Sequence, residues 1–356
     1  GLQLGHARLA RNGAAVYPLR MSEPATPLDP RTAQRLAWTR IALGDAAAQL
    51  ERASTDAGFR SYWRTHGAAS SRIVMDSPPD KEDVRPWLRA RDLLEAGGVR
   101  VPRVLARDVD AGFLLLEDLG GPTMAQVVDA ANADAHIDGA ITQLLILQSI
   151  ALPEDTVVFG EALLQRDAGL FEDWYLRRHL GIELDCGDAE RLQLTQRRLM
   201  DNALAQARVP THRDYMPRNL MPVADGPAVL DFQDMVIGPI AYDPVSLLRD
   251  AFLSWPDARV DAWLRRYHAR ALAAGLPVPD IASFLRDADW LGVQRHLKIL
   301  GIFARLHHRD GKSRYLADAP RFIGYLDAVV PRYRELDPLR DLLERTIKPA
   351  IARLTA

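Results

Sequence analysis

Apolar residues at helical spacing, Leu36, Ile41 and Leu43 among them, predict an amphipathic helix over residues 32–43 that leads into 48–53. Two short runs follow, 60–65 and 71–76, rich in aromatic or β-branched residues and flanked by turn formers. They read as antiparallel strands. Pro78 and Pro79 close the second run, and Asp80 is placed to cap a helix that extends to Ala96. Residues 104–108 and 113–117, with a turn at Gly112, read as a further hairpin. These pieces sum to a small lobe with a five-stranded antiparallel sheet and one helix.

Beyond Gly120-Gly121-Pro122 the pattern changes. Helical periodicity dominates over 135–152, 163–180, 190–207, 258–273, 281–308 and 321–353, interrupted by short apolar runs at 220–223 and 228–232. The two glycines and the proline mark a hinge. The predicted organisation is a tail over 1–30, a β-rich N-lobe over 31–120 and a helical C-lobe over 121–356, an α+β fold in two lobes. Met21 followed by Ser-Glu-Pro is a candidate true start.

Composition narrows the partners. Hydrophobic residues make up 48% of the 356 and charged residues 26%, with a formal net charge of −2, an ordinary globular balance. No basic run suggests nucleic acid, and no apolar stretch approaches the roughly eighteen residues of a membrane span. The single cysteine, Cys186, permits neither an internal disulfide nor a thiolate cluster. A cytoplasmic monomer acting on a small molecule is the expectation.

The chemistry concentrates in Thr211-His-Arg-Asp-Tyr-Met-Pro-Arg-Asn-Leu-Met221 and Val229-Leu-Asp-Phe-Gln-Asp234. Pro217 keeps Asp214 and Asn219 on a loop, and Asp231 closes an apolar strand. One carboxylate, an amide oxygen and a second carboxylate make a hard-oxygen Mg²⁺ site beside a free base, the parts that phosphoryl transfer needs.

His212-Arg-Asp-x-x-x-x-Asn219 followed by Asp231-Phe232 resembles the catalytic loop and metal-binding aspartate of eukaryotic-type kinases. Gly238-Pro-Ile-Ala-Tyr-Asp-Pro-Val-Ser-Leu-Leu248, Gly98-Val-Arg-Val-Pro102 and Leu116-Glu-Asp-Leu-Gly120 resemble the aminoglycoside phosphotransferase and choline kinase superfamily. The resemblance implies a protein-kinase-like bilobal fold, ATP and Mg²⁺. It implies Asp214 as the base, Asn219 and Asp231 as metal ligands, and Asp243 as a buried brace for the loop. Backbone at Glu117 and Leu119 would meet adenine, and Gly58, Phe59 and Arg60 would cover the phosphates. Within the superfamily, residues 74–79, 170–180 and 212–219 resemble the anomeric kinases of N-acetylmuramate and N-acetylglucosamine in peptidoglycan recycling. That branch implies a sugar acceptor, for which Glu172, Trp174, Tyr175, Arg213 and Arg218 are the candidate contacts.

The chain departs from the kinase pattern in three places. Its phosphate loop carries only Gly58, Met75 stands where a lysine is expected, and Trp87 falls near the place of that lysine's glutamate. Arg60, Arg64, Lys81 and Arg85 are the candidates for the missing cation. Each site residue also has a plainer reading. His212 suits a structural role, Asp243 suits a helix cap, Trp174 suits a core stripe, and the arginines suit pairing with nearby acids. Aminoglycoside phosphorylation and a kinase-like binding module without activity are the alternatives.

Overall fold

The computed structural model describes residues 29–54, 59–67 and 70–355. Helix α1 (Pro30–Leu43) starts earlier than the sequence pattern predicts. Proline sits in its first turn, and the Asp29 carboxylate caps it by accepting the Arg31 and Thr32 amides at 3.1 Å each. The remainder of the expected tail lies outside the described residues.

Strands β1 (Gln49–Ser54), β2 (Ser61–His66), β3 (Arg72–Asp76), β4 (Val104–Asp108) and β5 (Phe113–Glu117) form one antiparallel sheet in the order β1-β2-β3-β5-β4. Alternation sends Met75, Leu114 and Leu116 to one face, beneath α2 (Arg85–Ala96). The opposite face carries Trp63, Asp76 and Phe113 and is covered by α1. Trp38 stacks on Phe113 at 5.4 Å, and the Arg35 guanidinium lies 3.7 Å from the Trp63 ring centre. Asp76, buried, accepts hydrogen bonds from Arg31 at 2.6 Å and Arg35 at 2.7 Å. Asp80 does not cap α2. Lys81 and Glu82 turn back to the Pro78 carbonyl, and the helix begins at Arg85 with Pro86 in its first turn.

The larger lobe contains α3 (Met124–Val127), α4 (Ala133–Gln148) and α5 (Glu161–Leu170), which runs on as a π-helix over Phe171–His179. Helix α6 (Cys186–Ala205) leads into β6 (Arg208–Thr211), β7 (Leu220–Met221), β8 (Ala228–Val229) and β9 (Val236–Pro239). Then come α7 (Tyr242–Leu248), α8 (Asp257–Ala273), α9 (Ile281–His308), α10 (Ala319–Val329), α11 (Asp337–Leu342) and α12 (Lys348–Thr355). The single helix expected over 321–353 is broken. Pro331 sits in a 3₁₀ turn and Pro338 in the first turn of α11, and neither can supply the amide that a continuous helix needs. Gly301 of α9 lets backbone approach backbone: a Cβ there would come within 2.4 Å of Leu170, where α5 passes into the π-helix.

One apolar cluster joins Met75, Trp87, Leu88 and Leu114 of the small lobe to Ile141, Leu144, Phe232, Tyr242 and Leu291 of the large one. Trp87 and Phe232 meet at 5.2 Å between ring centres. A second cluster packs the π-helix and α6 against α9 and the C-terminal helices.

Candidate active site

Strand pairing assembles the loop. β6 pairs antiparallel with β9, Thr211 opposite Val236, so the residues after β6 and those before β9 lie together. The Asp243 carboxylate at the start of α7 accepts the backbone N–H of His212 at 2.7 Å and of Arg213 at 3.0 Å. The His212 ring contacts the Leu230 carbonyl at 2.9 Å, which fits a structural role. Arg213 has φ of 76°, a left-handed conformation uncommon for a side chain of this size. Its carbonyl accepts the guanidinium of buried Arg295 on α9 at 3.3 Å. The Tyr215 hydroxyl donates to the Ala140 carbonyl at 2.7 Å. A twisted turn, held from three sides, leaves the Asp214 side chain exposed.

The β7–β8 hairpin adds the second half. The Leu230 amide donates to the Asn219 carbonyl at 2.9 Å, which sets the start of the Asp231 segment beside the loop. The Asn219 side-chain amide donates to the Asp214 carbonyl at 2.9 Å, and its Oδ1 is directed away from that bond. Asp231, with φ of 60°, is exposed and accepts from Gln233 on one oxygen at 2.8 Å. One carboxylate and one amide oxygen suit a hard cation. Among the described residues no group of three or more His, Cys, Asp or Glu forms a metal site on its own. An ion held by Asn219 and Asp231 would need phosphate oxygens to complete its shell.

Burial holds the Asp243 carboxyl up, to about 6, against the opposing pull of His212, the two N–H groups and Arg295. The Arg295 guanidinium lies 4.8 Å from the Tyr242 ring centre. Its neighbours Tyr242, Asp214 and Asp243 outweigh burial and keep it firmly protonated.

The candidate acceptor residues divide. Arg218 is exposed, with its guanidinium 5.2 Å from the Phe252 ring centre and within electrostatic reach of Asp250. Arg213 is half-buried. Glu172 pairs with Arg177 at 2.7 Å along the π-helix, and Trp174 packs half-buried against the second cluster. Tyr175 is corrected to a core residue: only 2% exposed, it stacks on Phe171 at 5.6 Å, and burial raises its hydroxyl to about 12.

Among the residues expected to meet the nucleotide, Glu117 is gripped by Arg100 through two nitrogens at 2.6 and 3.0 Å, and the Glu117 amide donates to the Arg103 carbonyl. Leu119 is half-buried on the hinge, Phe59 is exposed, and Arg60 pairs with Glu82 at 3.1 Å. Gly58 lies outside the described residues.

Sequence reasoning missed Asp250, Arg295 and Tyr325. Asp250 is 2% exposed. One of its oxygens accepts the Phe252 and Leu253 amides and the other has no partner among the described residues. Tyr325 meets the Ser254 hydroxyl at 2.6 Å. It lines a cavity of about 330 Å³ together with Arg249, Trp255, Asp289, His296 and Arg332. An acid inside the apolar stretch 245–253 was the available signal.

The fold and loop have counterparts. Residues 49–284 match the model of the phosphotransferase enzyme family, about two thirds of the chain. The chain belongs to the phosphotransferase enzyme family. This phosphotransferase is 49% identical over 297 residues to the N-acetylmuramate/N-acetylglucosamine kinase of Pseudomonas aeruginosa, covering 83% of this chain and 88% of that one. It is 42% identical to the protein of the same name from Neisseria meningitidis serogroup B, covering 86% and 93%. Among solved structures it resembles an ethanolamine kinase of Plasmodium vivax (TM-score 0.59, 11% identity, 86% and 89% covered). It also resembles an ADP-bound aminoglycoside phosphotransferase (TM-score 0.56, 14% identity, 84% and 98% covered). The phosphotransferase thus has the expected bilobal kinase-like α+β fold and is an ATP-dependent kinase. No helix among the described residues is long and apolar enough to cross a membrane.

Proposed function

We propose that this phosphotransferase moves the γ-phosphoryl group of ATP to the anomeric hydroxyl of N-acetylmuramate and N-acetylglucosamine. The observation that carries the reading is 42–49% identity, over 83–86% of the chain, to relatives that bear those sugars in their names. The intact loop agrees with it.

Asp214, exposed at the tip of a braced turn, accepts the proton of the sugar C1 hydroxyl. The freed oxygen bonds to the γ-phosphorus as the bond to the β-phosphate oxygen breaks, and ADP departs. Bound Mg²⁺ would neutralise charge on the phosphates, with Asn219 Oδ1 and Asp231 as its protein ligands. A C1 hydroxyl is more acidic than an ordinary alcohol, so one carboxylate suffices as base. Arg218, exposed beside the loop, suits the lactyl carboxylate of N-acetylmuramate.

A ³¹P spectrum tests this. Free N-acetyl sugars with ATP and Mg²⁺ should give an acid-labile 1-phosphate, and methyl glycosides, blocked at C1, should give none. Equal turnover of the methyl glycoside would move the phosphate elsewhere on the ring. Turnover of an aminoglycoside alone would replace the acceptor.

A further inference from the structure

A kinase ordinarily meets the α- and β-phosphates with a lysine on the third strand, held by a glutamate on the following helix. Here both positions are apolar. Met75 is fully buried and Trp87 nearly so, and both belong to the cluster that joins the lobes. Neither a cation nor its acid fits in that packing. The charge must come from another part of the small lobe.

Of four basic residues near that edge, three are committed elsewhere. Arg64 binds Asp118 through two nitrogens at 2.7 and 3.1 Å and the Gly120 carbonyl at 2.9 Å, which makes it part of the hinge. Lys81 and Arg85 are exposed and pair with Asp80, and with Asp83 and Asp110, on the outer edge. Arg60 differs. It stands two residues before Tyr62, which is opposite Met75 and packs on the same cluster, so alternation puts Arg60 on the sheet face that carries Met75. Its side chain is 15% exposed, and its Nε lies 3.1 Å from Glu82, just ahead of α2.

From this placement we infer that Arg60, held by Glu82, is the cation that receives the α- and β-phosphates of ATP. The inference rests on the reading of the chain as an ATP-dependent kinase. The pair ties the entry of β2 to the turn that leads into α2, near where the usual lysine and glutamate tie strand to helix. Glu82 meets the guanidinium at Nε, and among the described residues its terminal nitrogens have no partner other than Glu82, which leaves N–H donors for phosphate oxygens.

Calorimetry with ATP, ADP and adenosine, in Mg²⁺ and without sugar, tests it. Arg60→Ala should weaken ATP and ADP by about tenfold to a hundredfold, the worth of charge-assisted hydrogen bonds, and leave adenosine within twofold. Arg60→Lys should recover part of the loss. Glu82→Gln should weaken ATP by less than Arg60→Ala does, again without touching adenosine. Equal losses for ATP and adenosine would mean that Arg60 only supports the lobe, and ATP affinity unchanged in Arg60→Ala would mean that another group holds the phosphates. Either result overturns the assignment. Because no acceptor is present, a wrong sugar leaves this experiment unaffected.

Discussion

Replacing Asp243 by asparagine separates the two things this carboxylate does. Its oxygens accept the His212 and Arg213 amides at 2.7 and 3.0 Å. Asparagine keeps one carbonyl acceptor and turns an NH₂ group against the other amide, and a buried N–H without a partner costs about 1–3 kcal/mol. The charge itself is expensive to bury. A carboxyl raised from 3.8 to about 6 corresponds to roughly 3 kcal/mol at neutral pH, at about 1.36 kcal/mol per unit. The two terms are of similar size and opposite sign, so Asp243→Asn should leave the melting temperature at pH 7.5 nearly unchanged. The strained turn at Arg213 loses a support, however, and kcat should fall by about tenfold to a hundredfold at roughly 1.4 kcal/mol per factor of ten.

Acidity should do reversibly what the substitution does permanently. The folded value is raised, so the stability linked to this group is full below about 4 and is lost as pH climbs through about 6. Activity runs the other way, because only the ionised carboxylate accepts both amides. Wild-type kcat, followed by ADP release between pH 5 and 8, should drop below pH 6 in a limb that Asp243→Asn lacks. A variant with full kcat, or the same acid limb in both proteins, would refute the brace.

Asp214→Ala should lower kcat by about 10²–10⁴, the usual share of a positioned general base, with ATP affinity retained in a binding titration. Asp231→Ala should raise the Mg²⁺ concentration needed for half-maximal activity more than Asn219→Ala does, since only aspartate supplies a full charge; equal responses would count against the ligand roles. Arg35→Ala should lower stability by about 3–5 kcal/mol in urea unfolding, because it strips a buried partner from Asp76; a change below about 1 kcal/mol would show that Arg31 alone suffices.

Where residue type, order and spacing coincide, the sequence is legible. His212, Asp214, Asn219 and Asp231 read correctly as one loop and hairpin because a local backbone carries them, and α9 matched its periodic stretch at both ends. The β6–β9 pair stayed hidden. Each strand has four residues, Pro210 and the Gly238-Pro239 step resemble loop, and only their partnership makes them strands. Arg295 and Tyr175 fail for a related reason. A helical arginine reads as solvated and an aromatic beside acids reads as a ligand contact, and both are overruled by what packs against the helix. Asp76 gave no sign that two arginines would cross the sheet face to reach it.

The column formed by Met75, Trp87 and Phe232 bears on how such an enzyme is governed. An ion pair can part and re-form at small cost, so a helix held by one can serve as a lever for signals from outside. Dislodging α2 here would instead wet Trp87 and Phe232, whose burial is worth about 1.5–3 kcal/mol for each large apolar side chain. A lever so stiff transmits little.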